Sequence, residues 1–163
     1  MEINIGEIGP THGSLRLFVC AVAGSVSKLT RMPSVLIVDD SAEVLAVVRD
    51  FLERASEKTG FTVCGEASNG LDAIKQAEVL KPDIVLLDLR MPIMNGIETA
   101  AVLKRLLPKT QIVLFSNYTD EIGTTLAKVV GIDLVLPKGS LSDMAQSLKN
   151  LNGRDASNPH SPK

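Results

Sequence analysis

The sequence predicts an α/β fold in which a parallel β-sheet carries helices on both faces. Two observations carry that prediction. Five short, nearly unbroken apolar runs lie between Pro33 and Leu151. Each is followed by a segment whose apolar residues recur at the 3.6-residue helical period. Strands without polar alternation are buried on both sides, which requires helices on each face of the sheet.

The elements follow in order. Val35-Leu36-Ile37-Val38 is the first strand and ends at Asp39-Asp40. From Ser41 to about Lys58, Val44, Val47, Val48, Phe51 and Leu52 form the stripe of an amphipathic helix. Phe61-Thr62-Val63-Cys64 is the second strand, and Gly70 to Leu80 the second helix, with Leu71, Ile74 and Ala77 on one face. Ile84-Val85-Leu86-Leu87 ends at Asp88. Gly96 to Leu107 is helical and stops at Pro108, which cannot continue a helix. Ile112-Val113-Leu114-Phe115 ends at Ser116, and Thr119 to Val130 is a helix closed by Gly131 at its C′ position. Leu134-Val135-Leu136 leads into Pro137-Lys138. The last helix, Ser140 to Leu151, opens with the capping-box spacing Ser140-x-x-Asp143.

Residues 33–151 are thus expected to form one domain. Residues 1–32 show glycine punctuation (Gly6, Gly9, Gly13 and Gly24) without sustained periodicity, and are expected to be a poorly ordered extension. Met32 stands directly before the first strand, as an internal start codon would place it. Residues 152–163 are polar and rich in turn formers, and are expected to be a disordered tail.

Composition excludes several classes. A net charge of −2 and 3% aromatic residues argue against a nucleic-acid binder, which needs a basic face or a stacking platform. Cys20 and Cys64 are too few and too distant for a disulfide framework, and each reads as a small apolar filler. His12 and His160 lie near opposite ends, which leaves a histidine metal site without support. No apolar run approaches the roughly 18–20 residues that span a bilayer. Leu17 to Val26 imitates a signal core but lacks a positive leader, so a cytoplasmic protein is expected.

In open sheets of this kind, ligands bind beyond the carboxyl ends of the strands. There the sequence places Asp39 and Asp40, Asp88, Ser116 and Lys138. Taken singly, each is a turn former, a cap or a surface charge. Taken together, they are three carboxylates, a hydroxyl and an ammonium at one sheet edge. Carboxylates that close repel, and a cation makes the arrangement tolerable. Oxygen ligands alone point to Mg2+. The lysine suits a phosphoryl oxygen, and the set suits phosphoryl transfer to a carboxylate.

With VLIVDDS, LLDLRMPIMNG, IVLFS and LPKG in place, the stretch from about Pro33 to Leu151 resembles the receiver domain of bacterial two-component response regulators, in particular the stand-alone chemotaxis type. The resemblance implies a flavodoxin-like (βα)5 three-layer sandwich with strand order 2-1-3-4-5. It implies Asp88 as phospho-acceptor, Asp40 and Asp39 as Mg2+ ligands beside Asp88, and the Arg90 backbone carbonyl as a further ligand. Ser116 becomes the switch hydroxyl and Lys138 the phosphate-binding lysine. Two positions depart from the family. Val135 stands where an aromatic residue is frequent, three positions before the lysine, which excludes an aromatic flip as the switch. Asn117 follows Ser116 where a small residue is common.

The expected function is that of a signalling phosphoprotein rather than an enzyme. A sensor histidine kinase or phosphotransfer protein would phosphorylate it, and its output would pass by contact with a protein target. Twelve residues follow the last expected helix, too few for a DNA-binding output domain. The alternative is the receiver fragment of a longer DNA-binding transcription regulator. An aspartyl-phosphate hydrolase fits less well, because Asp88-Leu89-Arg90 lacks the second acid two residues after the nucleophile.

Overall fold

The computed structural model describes residues 31–54, 60–117 and 129–155. The chain divides at Met32 into one unit of Met1–Met32 and a second of Pro33–Lys163. The fold described here belongs to the second. Its strands are β1 (Ser34–Val38), β2 (Thr62–Ala67), β3 (Ile84–Leu87), β4 (Gln111–Ser116) and β5 (Leu134–Pro137). The helices among the described residues are α1 (Ala42–Arg54), α2 (Gly70–Leu80), α3 (Gly96–Leu106) and α4 (Leu141–Asp155).

All pairings are parallel, and the sheet order is β2-β1-β3-β4-β5. This is the flavodoxin-like order that the resemblance implied. Successive strand residues divide between two cores. Leu36, Val38, Val85, Leu87, Ile112 and Leu114 pack with Ala73, Ala77, Ala100 and Leu103 of α2 and α3. Val35, Ile37, Ile84, Leu86, Val113 and Phe115 pack with Val48, Leu52, Met144 and Leu148 of α1 and α4. Both faces of the central strands are therefore dry, which explains why their sequences show no polar alternation.

Most boundaries shift by a residue, and β2 and the last helix shift further. β2 starts after Phe61 and runs on through Gly65 to Ala67, although glycine weakens strands. A Cβ on Gly65 would lie 2.8 Å from Gln76 Oε1 and from Leu80 Cδ1, so glycine lets α2 lie close over the strand. Beside it the β1–β2 register skips Cys64, which packs against the α2–α3 core as apolar filler. The last helix continues past Leu151 to Asp155, correcting the tail expected to begin at 152. Extending a nucleated helix is cheap, and polar residues permit it. The remainder of that tail, the first helix beyond Arg54, the extension before Arg31 and most of Thr119–Val130 lie outside the described residues. Val129 and Val130 are helical, and Gly131 follows with φ +84°.

Candidate functional site

Asp39, Asp88 and Lys138 each occupy the first position past a strand, where the ladder adds one more hydrogen bond. The Asp39 N–H donates to the Ala67 carbonyl at 3.1 Å, Asp88 N–H to Val38 at 2.8 Å, and Lys138 N–H to Ser116 at 3.2 Å. Strand alternation thus extends to them. Asp39 continues the face of Val35 and Ile37, Asp88 that of Ile84 and Leu86, and Lys138 that of Leu134 and Leu136. All three belong to the α1–α4 side of the sheet, and their side chains meet there.

Lys138 Nζ lies 2.6 Å from Asp39 Oδ2 and 2.9 Å from Asp88 Oδ1. Both acids are buried, Asp39 at 3% and Asp88 at 5% exposure. The two remaining oxygens accept backbone amides. Asp39 Oδ1 takes Ser41 N–H at 3.0 Å, and Asp88 Oδ2 takes Arg90 N–H at 2.8 Å. Ser41 in turn caps α1, its hydroxyl accepting from Val44 N–H at 3.3 Å.

One ammonium shared by two acids leaves the trio net negative, and the titration directions follow. Burial raises the Asp39 pKa above its ordinary value, and the hydrogen bonds from Lys138 and Ser41 only partly offset this. Burial pulls the Lys138 pKa down, but its hydrogen bonds and Coulombic attraction to Asp39 and Asp88 outweigh that, so the net direction is up.

The remaining expected residues are placed differently. Ser116 is the last residue of β4 and fully buried, with its carbonyl accepting the Lys138 amide. Asp40 and Arg90 are exposed. Among the described residues no group of three or more His, Cys, Asp or Glu is gathered to hold a metal ion. Lys138 thus joins Asp39 and Asp88, and Asp40 stands exposed beside Asp39. The oxygen-only donor set still fits a hard cation, because the Lys138 ammonium already occupies that place between the two acids.

Sequence reasoning missed how the acceptor loop is locked. Asn95 and Glu98 form a complete capping box at the start of α3: Glu98 N–H donates to Asn95 Oδ1 at 3.0 Å, and Asn95 N–H to Glu98 Oε2 at 3.1 Å. The Asn-x-x-Glu spacing was the available signal. At Ser140 only Asp143 N–H to Ser140 Oγ, at 3.3 Å, belongs to the expected box. Gly96 N–H donates to Leu89 O at 2.9 Å. A Cβ on Gly96 would stand 2.3 Å from the Asp88 carbonyl oxygen, so only glycine lets α3 start this close to the acceptor. Between them Ile93 has φ 72°, and Met94 N–H reaches Pro92 O at 2.8 Å across it.

A family model described as the response regulator receiver domain matches residues 35–149. The chain belongs to that family. Among curated relatives, the receiver is 34% identical over 116 residues to response regulator protein VraR of Staphylococcus saprophyticus, covering 71% of this chain and 54% of that protein. It is 40% identical over 82 residues to chemotaxis protein CheY of Thermotoga maritima, covering 50% of this chain and 65% of CheY. The chain thus spans about half the length of VraR. Among solved structures, the response regulator domain of Thermotoga maritima CheB matches with a TM-score of 0.65 and 28% identity, covering 79% of this chain and 100% of that domain. Val135 of the receiver is partly buried against the α2–α3 core. Among the described residues no helix is long and apolar enough to cross a membrane.

Proposed function

We propose that this receiver is the phosphoacceptor of a two-component relay, with Asp88 as the phosphorylated residue. The observation that carries the reading is the Asp39–Lys138–Asp88 bridge at the carboxyl edge of a parallel sheet. The donor is a phosphohistidine on a sensor histidine kinase or phosphotransfer protein. An Asp88 carboxylate oxygen attacks phosphorus, the P–N bond breaks, and the imidazole leaves with its electron pair as an acyl phosphate forms. Asp39, Asp40, Asp88 and the Arg90 carbonyl are the residues that would hold Mg2+. When bound, the ion neutralises charge developing on the transferred oxygens.

Positioning is the protein's share of the chemistry. The Arg90 amide orients the Asp88 carboxylate. Lys138 keeps a positive charge beside it and moves to a phosphoryl oxygen once transfer has made one available. Ser116 supplies a hydroxyl at the neighbouring strand end, and its engagement by the phosphoryl group biases the surface that signals onward. On this reading the protein works in the cytoplasm and assists its own phosphorylation and dephosphorylation.

Incubation with acetyl phosphate and Mg2+ should add one phosphoryl group, detected by mass spectrometry, and Asp88→Asn should add none. Labelling of the variant at the wild-type level would refute the assignment. A second reading is favoured by the 54% coverage of VraR. In it the chain is the receiver portion of a longer transcription regulator, and output passes through a DNA-binding region. An immunoblot of the native gene product decides: a band well above 17.4 kDa supports the longer regulator, and one at that mass supports output by protein contact.

A further inference from the structure

We infer that Asp133 is a positioning residue for Lys138. It clasps the amino end of β5, about 16 Å along the strand from the lysine, and so sets the register that turns Lys138 toward Asp39 and Asp88. The inference rests on the phosphoacceptor reading above only for its effect on labelling.

Among the described strands, the four-residue β5 pairs with β4 alone. Its register decides which way Lys138 points, because a slip of one residue turns every side chain to the other face. The strand's own sequence guides that register poorly. Leu134, Val135 and Leu136 are all apolar, so either face of β5 suits a core. Pro137 has no N–H to add to the ladder. The guide lies at the amino end. The chain turns at Gly131, with φ +84°, and meets β4 at Asp133. Asp133 N–H donates to the Ile112 carbonyl at 2.9 Å, and Ile112 N–H donates to Asp133 Oδ2 at 2.7 Å. One aspartate thus holds both backbone polar groups of Ile112, and a slip of one residue would break both bonds. Lys104 of α3 lies 2.7 Å from the same Oδ2 and donates to the Thr110 carbonyl at 2.8 Å. Thr110 is tied in turn by its hydroxyl to the Pro82 carbonyl at 2.8 Å, just before β3. Helix α3 therefore reaches both ends of the strands, with Gly96 against the Asp88 carbonyl and Lys104 on Asp133. Hydrogen bonds to a charged oxygen are strong and directional, and they resist a slip that the apolar pattern would permit.

The test uses the full chain and reads Lys138 directly. Acetic anhydride with mass spectrometry measures how fast Lys138 is acetylated relative to exposed Lys75 and Lys109. Asp133→Ala should raise that relative rate about tenfold, the factor carried by one hydrogen bond to a charged group, and should slow labelling of Asp88 by acetyl phosphate. Asp133→Asn, which keeps an oxygen for the Ile112 N–H, should stay near wild type in both. Leu52→Ala opens a cavity in the α1–α4 core without touching the clasp, so it should lower stability and leave Lys138 reactivity unchanged. Should Asp133→Ala prove insoluble, Lys104→Met, which releases Asp133 from α3, carries the same expectation. Lys138 reacting in Asp133→Ala as in wild type, or no faster than in Leu52→Ala, would overturn the clasp and leave the phosphoacceptor reading intact. A wild type that takes no phosphoryl group on Asp88 would overturn that reading, and the acetylation rates would still decide the clasp.

Discussion

At the scale of single residues, the site is governed by one ammonium shared between two buried carboxylates. Breaking such a pair leaves uncompensated buried charge, so Lys138→Met should lose roughly 3 kcal/mol at neutral pH. The pH dependence has a definite sign. The folded-state pKa of Lys138 is raised above 10.5, so its contribution is complete below that value and lost as pH climbs through the folded pKa. The Asp39 pKa is raised above 3.8, so the folded state gains on the unfolded as pH falls through the raised value, the reverse of an ordinary surface carboxylate. The gap between wild type and Lys138→Met should therefore be widest in the neutral range and narrow toward both extremes. Urea denaturation at about pH 4, 7 and 11 measures it. A gap independent of pH would show that the lost packing of the lysine stem, not its charge, decides stability.

At the scale of elements, the loop from Asp88 to α3 combines a close approach with a strained turn. Gly96 and Ile93 respond oppositely to substitution. Gly96→Ala drives a methyl group into the Asp88 carbonyl and should lose about 2 kcal/mol, with slower labelling of Asp88 because the acceptor must shift. Ile93→Gly removes a β-branched residue from φ 72° and should gain about 1 kcal/mol after the entropy cost of glycine. Chemical denaturation of both variants checks the signs. Destabilisation by Ile93→Gly would mean that this side chain contributes packing in spite of its 76% exposure.

At the scale of the whole molecule, the sheet is stabilised from both sides. Every residue of β1, β3 and β4 is buried, and their apolar side chains divide between the α2–α3 and α1–α4 cores. The extension before Met32 has no sustained apolar period with which to add a further layer. A chain beginning at Met32 should keep its thermal midpoint within a few degrees, equivalent to under about 1 kcal/mol for a domain this size. A larger fall in a melting experiment would show that residues 1–31 contribute to the core.

The sequence by itself determined the strands, the four described helices and the edge at which the chemistry collects, because apolar periodicity and strand ends are local patterns. It also contained the alternation that sends Asp39, Asp88 and Lys138 to one side. That parity needed only counting back along each strand. Two things required the fold. Gly65 and Gly96 are glycine because of neighbours that come close only in three dimensions, Gln76 and Leu80 for one and the Asp88 carbonyl for the other. The partners of Lys138 likewise depend on which strands are adjacent. Asp39 is 99 positions away along the chain and Asp88 is 50, and the parallel order β1-β3-β4-β5 alone brings them within 2.9 Å of the ammonium. Charge attraction falls off with distance in space, and no pattern along a sequence measures that distance.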